Sequence, residues 1–337
     1  MGSIRENYLW GAGSSAAAFL DAYADMSFKG VIETSPSRDV FRGLPVVPPG
    51  SVNFRCANIT IASEFFEEIY DTAMEMGARP EDISNATDIA LRDADAAVIS
   101  YQKCGRTWIR LMLGRIFQQK WGLPESEIVR ITESPRRFKD KLPIMPKVIF
   151  HHDDSAHRKT EDQLRRSKLE YFQKKVIFLC RDPRDVILSN YYHMTFRARR
   201  NELSKKDFIK KFLPGVVQFY NIWIDAKVGE FLLIRFEDMK RNTHYELQRI
   251  LDFLNSDLTI CESIIDEAID YCSLDNMKKY EAENRFGSPI LSNQGGQAES
   301  AKVRGGKIGG FKTEVDDELQ LWCNEQIRDL DHRYGYL

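Results

Sequence analysis

The sequence lacks a hydrophobic run long enough to cross a membrane. Its longest apolar runs, VIFLC and FLLI, fall far short of the ~20 residues that a transmembrane helix needs. The N-terminus, MGSIRENYLW, lacks the basic-then-apolar order of a secretory signal, and Glu6 stands where a myristoylation signal has serine or threonine. These absences predict a cytoplasmic protein with no membrane partner.

Excess charge and ordered cysteines are missing as well. The formal net charge is −2 over 337 residues, so nothing in the overall charge predicts binding to nucleic acid, and any attraction for anions must be local. The six cysteines form no CxxC pair, which predicts reduced thiols rather than a disulfide framework or a zinc site. The hydrophobic content of 43% is ordinary for a chain with a sizeable core, and the length favours two domains.

Residues 1–92 predict a small Rossmann-like α/β domain. A strand ends at Trp10, the turn GAGSSA matches GxGxxA, a helix follows over about 14–24, and KGVIE predicts a second strand that ends at Glu33. GLPVVPPG predicts a loop, CANITIAS a third strand, and EFFEEIYDTAMEMG a helix that ends at Gly77. This stretch resembles short Rossmann-like domains attached to some nucleotide-sugar and polysaccharide-modifying enzymes. Glu33 is placed to meet a ribose hydroxyl; the alternative is a unit that only packs or presents substrate.

The stretch SYQKCGRTW, residues 100–108, lies between the buried strand AAVI and the amphipathic helix IRLMLGRIFQQKW. The N-terminus of that helix offers free N–H groups and the positive end of the helix dipole. Gly105 lets the backbone approach a ligand, Thr107 adds a hydroxyl and Lys103 adds a mobile charge. The turn therefore predicts an anion site. It is not a Walker A loop, because the lysine precedes the glycine.

A second anion-binding element follows the strand VIFLC. Asp182 and Pro183 are typical of an N-cap and a first helical residue, and Asp185 extends a capping-box-like pattern. Arg181 then lies at the carboxyl edge of the sheet, and Ser189 lies two turns into the helix, so together they are placed to hold a phosphate. The alternative is an arginine paired with a nearby aspartate and a serine without a ligand.

In their order, these motifs resemble the PAPS-dependent sulfotransferase family. Its patterns YPKSGTTW, RNPKDVAVSYYH, YEDMK and RKGxxGDWK correspond here to residues 101–108, 181–193, 236–240 and 304–312. The resemblance covers about residues 95–315. It implies a central parallel sheet with flanking helices in residues 93–337. It also implies transfer of the sulfuryl group from PAPS to a hydroxyl or amine of a small-molecule or carbohydrate acceptor, with release of PAP.

The resemblance also implies roles for individual residues. Cofactor contacts fall to three sets: the 5′-phosphosulfate and adenine set Lys103, Cys104, Gly105, Arg106, Thr107 and Trp108; the 3′-phosphate set Arg181, Ser189 and Arg304; and Ser273 of CSLDNM near the adenine. Gln102, Cys104 and Phe236 depart from the family pattern, as does RGG at 304–306. Gly305 and Gly306 are placed to cradle the 3′-phosphate through backbone N–H groups; the alternative is a flexible surface loop.

The resemblance places the catalytic base in KVIFHHDDSAH, where His152 aligns best with the family's histidine, and it makes Lys103 the cation at the departing phosphate. A histidine with a pKa near 6.5 suits proton removal near neutral pH. His151 is the alternative base, because adjacent strand residues face opposite ways. HHDD with His157 is a further alternative, as a metal cluster; the main interpretation needs no metal.

Two other functions remain open at this point. A P-loop-type kinase shares the strand-loop-helix order, and a non-catalytic nucleotide-binding scaffold needs neither Lys103 nor His152. The basic run FRARRNELSKKDFIKKF, residues 196–212, favours either an anionic glycan acceptor or a solvated helix face.

Overall fold

The structure, a computed structural model, describes residues 5–153, 155–255, 257–292 and 301–336. The chain divides into two compact units. The first contains Met1–Ala94 and Glu133–Ile149, and the second contains Asp95–Thr132 and Phe150–Leu337. The segment Glu133–Ile149, which the sequence placed in the second domain, thus groups with the first unit.

The first unit is built on a six-stranded sheet. Its strands are β1 (Glu6–Trp10), β2 (Gly30–Ile32), β3 (Val40–Phe41), β4 (Leu44–Val47), β5 (Ala57–Ile61) and β6 (Ile83–Asn85), and its helices include α1 (Ser14–Ala22), α2 (Phe66–Glu75) and α3 (Ala86–Asp93). The strand order is β3-β4-β2-β1-β5-β6, and all neighbours pair in parallel except β3 and β4. Two clusters of buried apolar side chains cover the two faces of this sheet.

The strands and helices predicted around the glycine-rich turn are present in the structure, but one predicted loop is wrong. The predicted loop GLPVVPPG contains β4, which pairs in parallel with β2. Val46 donates its N–H to the carbonyl of Asp39, and Val47 accepts from the N–H of Glu33, so the backbone gains sheet partners despite the neighbouring prolines. Long-range pairing thus overrides the local turn signal.

The second sheet has the strand order β10-β9-β7-β8, with parallel pairing of β10 with β9 and of β9 with β7. Its strands are β7 (Ala96–Ile99), β8 (Val148–His151), β9 (Lys175–Cys180) and β10 (Glu230–Arg235). The helices that follow along the chain are α4 (Arg106–Lys120), α5 (Arg130–Glu133), α6 (Pro183–Tyr192), α7 (Lys205–Ile224), α8 (Phe236–Arg241), α9 (Thr243–Leu254), α10 (Glu262–Tyr271), α11 (Leu274–Ala282), α12 (Phe311–Glu314) and α13 (Asp317–Gln326).

This arrangement brings three chain segments to one edge of the second sheet. The strands β7, β9 and β10 are parallel, so their carboxyl ends lie together. Each is followed by a helix that packs on the sheet, which aligns the starts of α4, α6 and α8 with that edge. Within the described ranges, none of the helices has the length and apolar content to span a bilayer.

Candidate active site

The turn after β7 requires glycine at position 105, because of both its backbone conformation and a close neighbour. Lys103 and Gly105 both have positive φ, 75° and 97°. A Cβ on Gly105 would lie 2.7 Å from Cδ2 of Phe236, so a side chain there would clash. Helix α4 starts at Arg106, and its N-cap Gly105 offers no side-chain hydrogen bond. The N–H of Trp108 donates to the carbonyl of Gly105 at 2.9 Å, and the N-terminus of the helix has no side-chain cap.

Tyr220 on α7 ties this turn to the end of β9. Its hydroxyl accepts from the N–H of Arg181 at 3.1 Å and donates to the carbonyl of Arg181 at 2.9 Å. The Cys104 thiol lies 3.2 Å from the same oxygen and donates to it, because the hydroxyl proton is already used. The side chain of Cys104 thus faces the core, and a cofactor contact at this residue has to use its backbone.

Arg181 lies at the centre of the site. It donates to the carbonyls of Lys103 at 3.5 Å and Lys307 at 2.7 Å, and its guanidinium lies 4.8 Å from the ring centroid of Phe236. It also pairs with Asp185 at 3.3 Å. The alternative interpretation, an arginine paired with a nearby aspartate, thus describes part of its environment.

Asp185 does not close the predicted capping box. The cap of α6 is Asp182, whose side chain accepts from the N–H of Arg184. Asp185 instead accepts from the N–H groups of Gly309 at 2.8 Å and Phe311 at 3.0 Å. A buried carboxylate therefore anchors the second half of the glycine-rich loop.

The first half of that loop contains Arg304, which contacts Ser189 of α6. The guanidinium of Arg304 donates to the Ser189 hydroxyl at 3.4 Å and lies 4.2 Å from the ring centroid of Tyr192. Gly306 has a φ of 53°, and a Cβ there would lie 3.8 Å from Cζ of Phe236. The structure thus brings together the predicted residues Arg181, Ser189, Arg304 and Gly306, because the glycine-rich loop bonds to Ser189 and Asp185 of α6 and to the guanidinium of Arg181.

Trp108 joins the site to the predicted adenine segment. Its indole N–H donates to the carbonyl of Cys272 at 3.0 Å, and its ring meets that of Phe236 edge-on at 6.2 Å. Ser273, the next residue after Cys272, is exposed and is the N-cap of α11. Phe236 therefore lies beside Gly105, Trp108, Arg181 and Gly306, a role that the sequence did not reveal.

Lys103 is surrounded by other cations. Burial, with Arg304, Arg197 and Arg181 nearby, lowers its pKa to about 7. Sequence analysis missed two cations of this cluster. Arg197 pairs with Glu281 at 3.3 Å. The backbone N–H of Lys302 donates to the same carboxylate at 2.6 Å, and its ammonium donates to the carbonyl of Ile290 at 2.6 Å. Burial, with Lys103 nearby, lowers the pKa of Lys302 well below its usual value. Arg197 belongs to the basic run 196–212, which the sequence analysis assigned to a glycan acceptor or a solvated helix face and not to the cofactor. The signal for Lys302 was its proximity to the motif at 304–312.

Several polar atoms in this region are buried without a hydrogen-bond partner among the residues that the structure describes. They include Nη1 of Arg106, Nε of Arg181 and Oε1 of Gln102. Buried polar groups are almost always hydrogen-bonded, and the two unpartnered arginine nitrogens are donors that suit an anionic ligand. A dense group of guanidinium and ammonium groups fits a ligand with several phosphate or sulfate groups.

His152 is fixed in one tautomer. Its Nδ1 lies 2.9 Å from the carbonyl of Ser100, which only accepts, so Nδ1 carries the proton and Nε2 is the basic nitrogen. Burial, aided by Arg106 and His157, lowers the pKa of His152 well below its usual value. His152 is therefore neutral at neutral pH, with a lower pKa than the unperturbed value assumed from sequence.

His151 has both nitrogens occupied. Nδ1 accepts from the N–H of Asp153 at 3.2 Å, so the proton is on Nε2, which lies 3.1 Å from the Tyr171 hydroxyl. Its ring stacks on Tyr171, and burial lowers its pKa to about 4. His151 thus serves as a structural link in this loop.

The HHDD segment contains no metal-ligand cluster in its described part. Asp153 pairs with Lys168 at 2.6 Å and Arg165 at 3.1 Å, and Asp154 lies outside the described residues. Over the described ranges, no three histidine, cysteine or acidic residues group as a metal site does. The expectation that no metal takes part stays a prediction.

The basic run at 196–212 is largely engaged with the rest of the chain. Lys205 donates to the carbonyl of Glu314 at 3.2 Å, Lys206 pairs with Glu318 at 3.0 Å, and Lys210 lies over the ring of Trp322. These contacts favour the interpretation as a helix face that packs and is solvated, rather than a glycan-binding surface.

Comparisons with known proteins agree with this geometry. Residues 93–331 match the family model described as the sulfotransferase domain. The chain is 28% identical over 282 residues to the amine sulfotransferase of Oryctolagus cuniculus, covering 73% of this chain and 85% of that protein. It is 29% identical over 212 residues to sulfotransferase 2A1 of Homo sapiens, covering 54% of this chain and 67% of that protein.

A solved structure shares the fold. The crystal structure of retinol dehydratase in complex with androsterone and inactive cofactor PAP superposes with a TM-score of 0.50 at 19% identity, covering 72% of this chain and 83% of that one.

Proposed function

Because the chain belongs to the PAPS-dependent sulfotransferase family, its reaction is sulfuryl transfer from PAPS, and we propose that the residues around Lys103 and His152 carry it out. Membership of this family excludes the two alternatives that the sequence left open, a P-loop-type kinase and a non-catalytic scaffold. The observation that carries the proposal is the cation cluster at the carboxyl edge of the sheet, in which one nitrogen each of Arg106 and Arg181 has no hydrogen-bond partner within the described ranges.

The residues present fit PAPS, and their positions support a division of labour. Arg304 and Ser189, which already contact each other, would hold the 3′-phosphate together with Arg181. The uncapped N-terminus of α4 and the loop of Gly105 would hold the 5′-phosphate, as helix N-termini commonly do. Trp108, fixed by its bond to Cys272, would support the adenine beside Ser273.

When bound, PAPS supplies the sulfuryl group, and PAP is its leaving portion. His152 removes the acceptor proton at Nε2, because its Nδ1 proton is committed to Ser100. Lys103 supplies positive charge where the departing phosphate gains negative charge, an electrostatic role that matters most in the transition state. The acceptor atom is a hydroxyl or an amine of a small molecule or of a carbohydrate.

The binding part of this proposal is tested by heat stability. PAP is expected to raise the unfolding temperature far more than AMP or ATP does, because Arg181, Ser189 and Arg304 recognise the 3′-phosphate, which AMP lacks. The measurement is thermal unfolding with each nucleotide at equal concentration. In the variant Arg304→Ala the difference between PAP and AMP is expected to shrink. Equal stabilisation of the wild type by PAP and AMP would remove the three residues from this role.

We place the enzyme in the cytoplasm. All six cysteines are free thiols, four of them buried, which is typical of a reducing compartment. For the N-terminal domain we propose the second of the two interpretations, a unit that packs or presents substrate and does not bind a nucleotide. The carboxylate of Glu33, the expected ribose ligand, accepts from the N–H of Ser37 at 3.2 Å, which supports a structural role.

A further inference from the structure

We infer that Glu281 is a positioning residue that sets the selectivity of the enzyme for a 3′-phosphorylated nucleotide, because its buried carboxylate fixes the segment that contains Arg304. The inference rests on the proposed function, since it takes Arg304 and Ser189 as contacts of the 3′-phosphate. It goes further by naming a residue of α11, outside the four motifs, on which those contacts depend.

The carboxylate of Glu281 holds the backbone directly before Arg304. Its Oε1 accepts from the N–H of Lys302 at 2.6 Å, and its Oε2 accepts from the N–H of Val303 at 2.8 Å. Only 3% of Glu281 is exposed. Hydrogen bonds to an ionised carboxylate are about twice as strong as those between neutral groups, and burial strengthens them further. The position of residues 302 and 303 is therefore fixed to α11.

Arg304 lies between two buried carboxylates that hold the chain on either side of it. Glu281 accepts from the two N–H groups that precede Arg304, and Asp185 accepts from two N–H groups further along the loop. Between these anchors, the guanidinium of Arg304 donates to the Ser189 hydroxyl at 3.4 Å and lies 4.2 Å from the ring centroid of Tyr192. Because Arg304 directly follows the second anchored N–H, a shift of the Glu281 anchor moves Arg304 relative to Ser189.

The charge of Glu281 acts on the cofactor site as well, so a test of its position has to keep that charge. Glu281 pairs with Arg197 at 3.3 Å. Among the described residues, the charged groups that act most strongly on Lys103 are Arg304, Arg197, Arg181 and Glu281, and of these Glu281 alone raises its pKa. Replacing Glu281 with a neutral residue would change both the anchor and the field at the site. Glu281→Asp keeps the charge and withdraws the carboxylate from the loop by one methylene group.

The test compares PAP with AMP, which lacks the 3′-phosphate, by calorimetry. In Glu281→Asp we expect the ratio of PAP affinity to AMP affinity to fall by at least about tenfold, with AMP affinity within about twofold of the wild type; tenfold corresponds to about 1.4 kcal/mol. Glu246→Asp is the matched control, because Glu246 on α9 is similarly buried and pairs with Arg249 of the same helix at 2.5 Å. It should leave the ratio unchanged.

A second measurement uses the unaltered protein and does not depend on the folding of a variant. Hydrogen exchange at the N–H groups of Lys302 and Val303 is expected to be at least about tenfold slower than in an unstructured peptide, because both donate to a buried carboxylate. Exchange at the unstructured rate overturns the inference, whether or not Glu281→Asp folds.

The outcomes separate this inference from the proposed function. A folded Glu281→Asp that keeps the wild-type ratio overturns the inference and leaves the proposed function intact. A parallel loss of PAP and AMP affinity also overturns it, since Glu281 would then support the site as a whole. Equal affinity of the wild type for PAP and AMP instead removes Arg304 and Ser189 from the proposed function, and the inference with them.

Discussion

At the residue scale, the unusual feature of the site is a lysine held among arginines. Lys103 has a pKa of about 7 because burial and the charges of Arg304, Arg197 and Arg181 disfavour its protonated form. An anionic ligand favours that form and raises the pKa again. The free enzyme therefore holds a partly neutral Lys103 at neutral pH, and binding restores its charge.

Binding of PAP is thus expected to take up a proton near and above pH 7. Below pH 7 Lys103 is already charged in the free protein. Above pH 7 it is increasingly neutral and must take up a proton before it can hold the anion, so PAP affinity should fall as pH rises from 7 to 9. Calorimetry in two buffers of different ionisation enthalpy measures the proton count. Lys103→Met should abolish the pH-linked uptake. Proton-neutral binding of PAP by the wild type at pH 8 would contradict this assignment.

Substitution of His152 is expected to affect turnover, whereas substitution of His151 is expected to affect stability. His152→Ala should lower turnover by on the order of 10²-fold or more, the usual effect of losing a general base, with PAP affinity close to wild type. His151→Ala removes the stacking on Tyr171 and the link to Asp153, so its effect should appear mainly in the free energy of unfolding. Steady-state kinetics and urea unfolding of both variants measure this. A larger loss of turnover in a stably folded His151→Ala would reverse the roles.

At the scale of the elements, the site depends on one hydroxyl that joins α7, the turn after β7 and the end of β9. Tyr220→Phe removes the partner of both the N–H and the carbonyl of Arg181 and of the Cys104 thiol. Leaving buried polar groups unpaired costs about 1–3 kcal/mol each. We expect a lower free energy of unfolding and weaker PAP binding, measured by urea unfolding and calorimetry.

A matched control for Tyr220→Phe is available on α9. Tyr245→Phe removes a hydroxyl from an exposed tyrosine and should change neither quantity. If Tyr220→Phe loses stability but binds PAP as tightly as the wild type, the hydroxyl supports the core alone and does not position Arg181.

At the scale of the whole molecule, the segment Glu133–Ile149 belongs to the first unit although it lies inside the region matched by the sulfotransferase family model. Ser134 donates to the carbonyl of Ala18 at 2.8 Å, and Arg136 pairs with Asp25 at 2.6 Å and with Asp93 at 3.0 Å. The first unit is therefore built from two stretches of chain.

A fragment that starts at residue 95 removes these partners. We expect it to be less stable than the full chain and to become sensitive to protease within residues 133–149, because Arg136 and its neighbours lose their contacts. Limited proteolysis followed by mass spectrometry locates the cuts. The full chain is the control. A fragment that resists cleavage in this segment and unfolds at the same temperature would show that residues 133–149 need no support from residues 1–94.

The sequence alone determined the parts of this protein that depend on neighbours along the chain. The alternation of buried strands, turns and helices fixed where β1, β7, β9 and α4 form, and Asp182 before Pro183 marked the start of α6. The order of four short motifs was sufficient to predict the sulfotransferase family, since each motif is a contiguous stretch of chain and three of them directly follow β7, β9 and β10.

Only the tertiary structure decided which partners those residues meet. Sequence periodicity does not show that the Cys104 thiol faces Tyr220, that Asp185 binds the glycine-rich loop, or that Pro45 lies in a strand. Nor does it show the pKa of Lys103, which depends on arginines far away along the chain. The physical reason is that burial, hydrogen bonding and charge act through space, so they are set by the packing of distant segments rather than by local sequence.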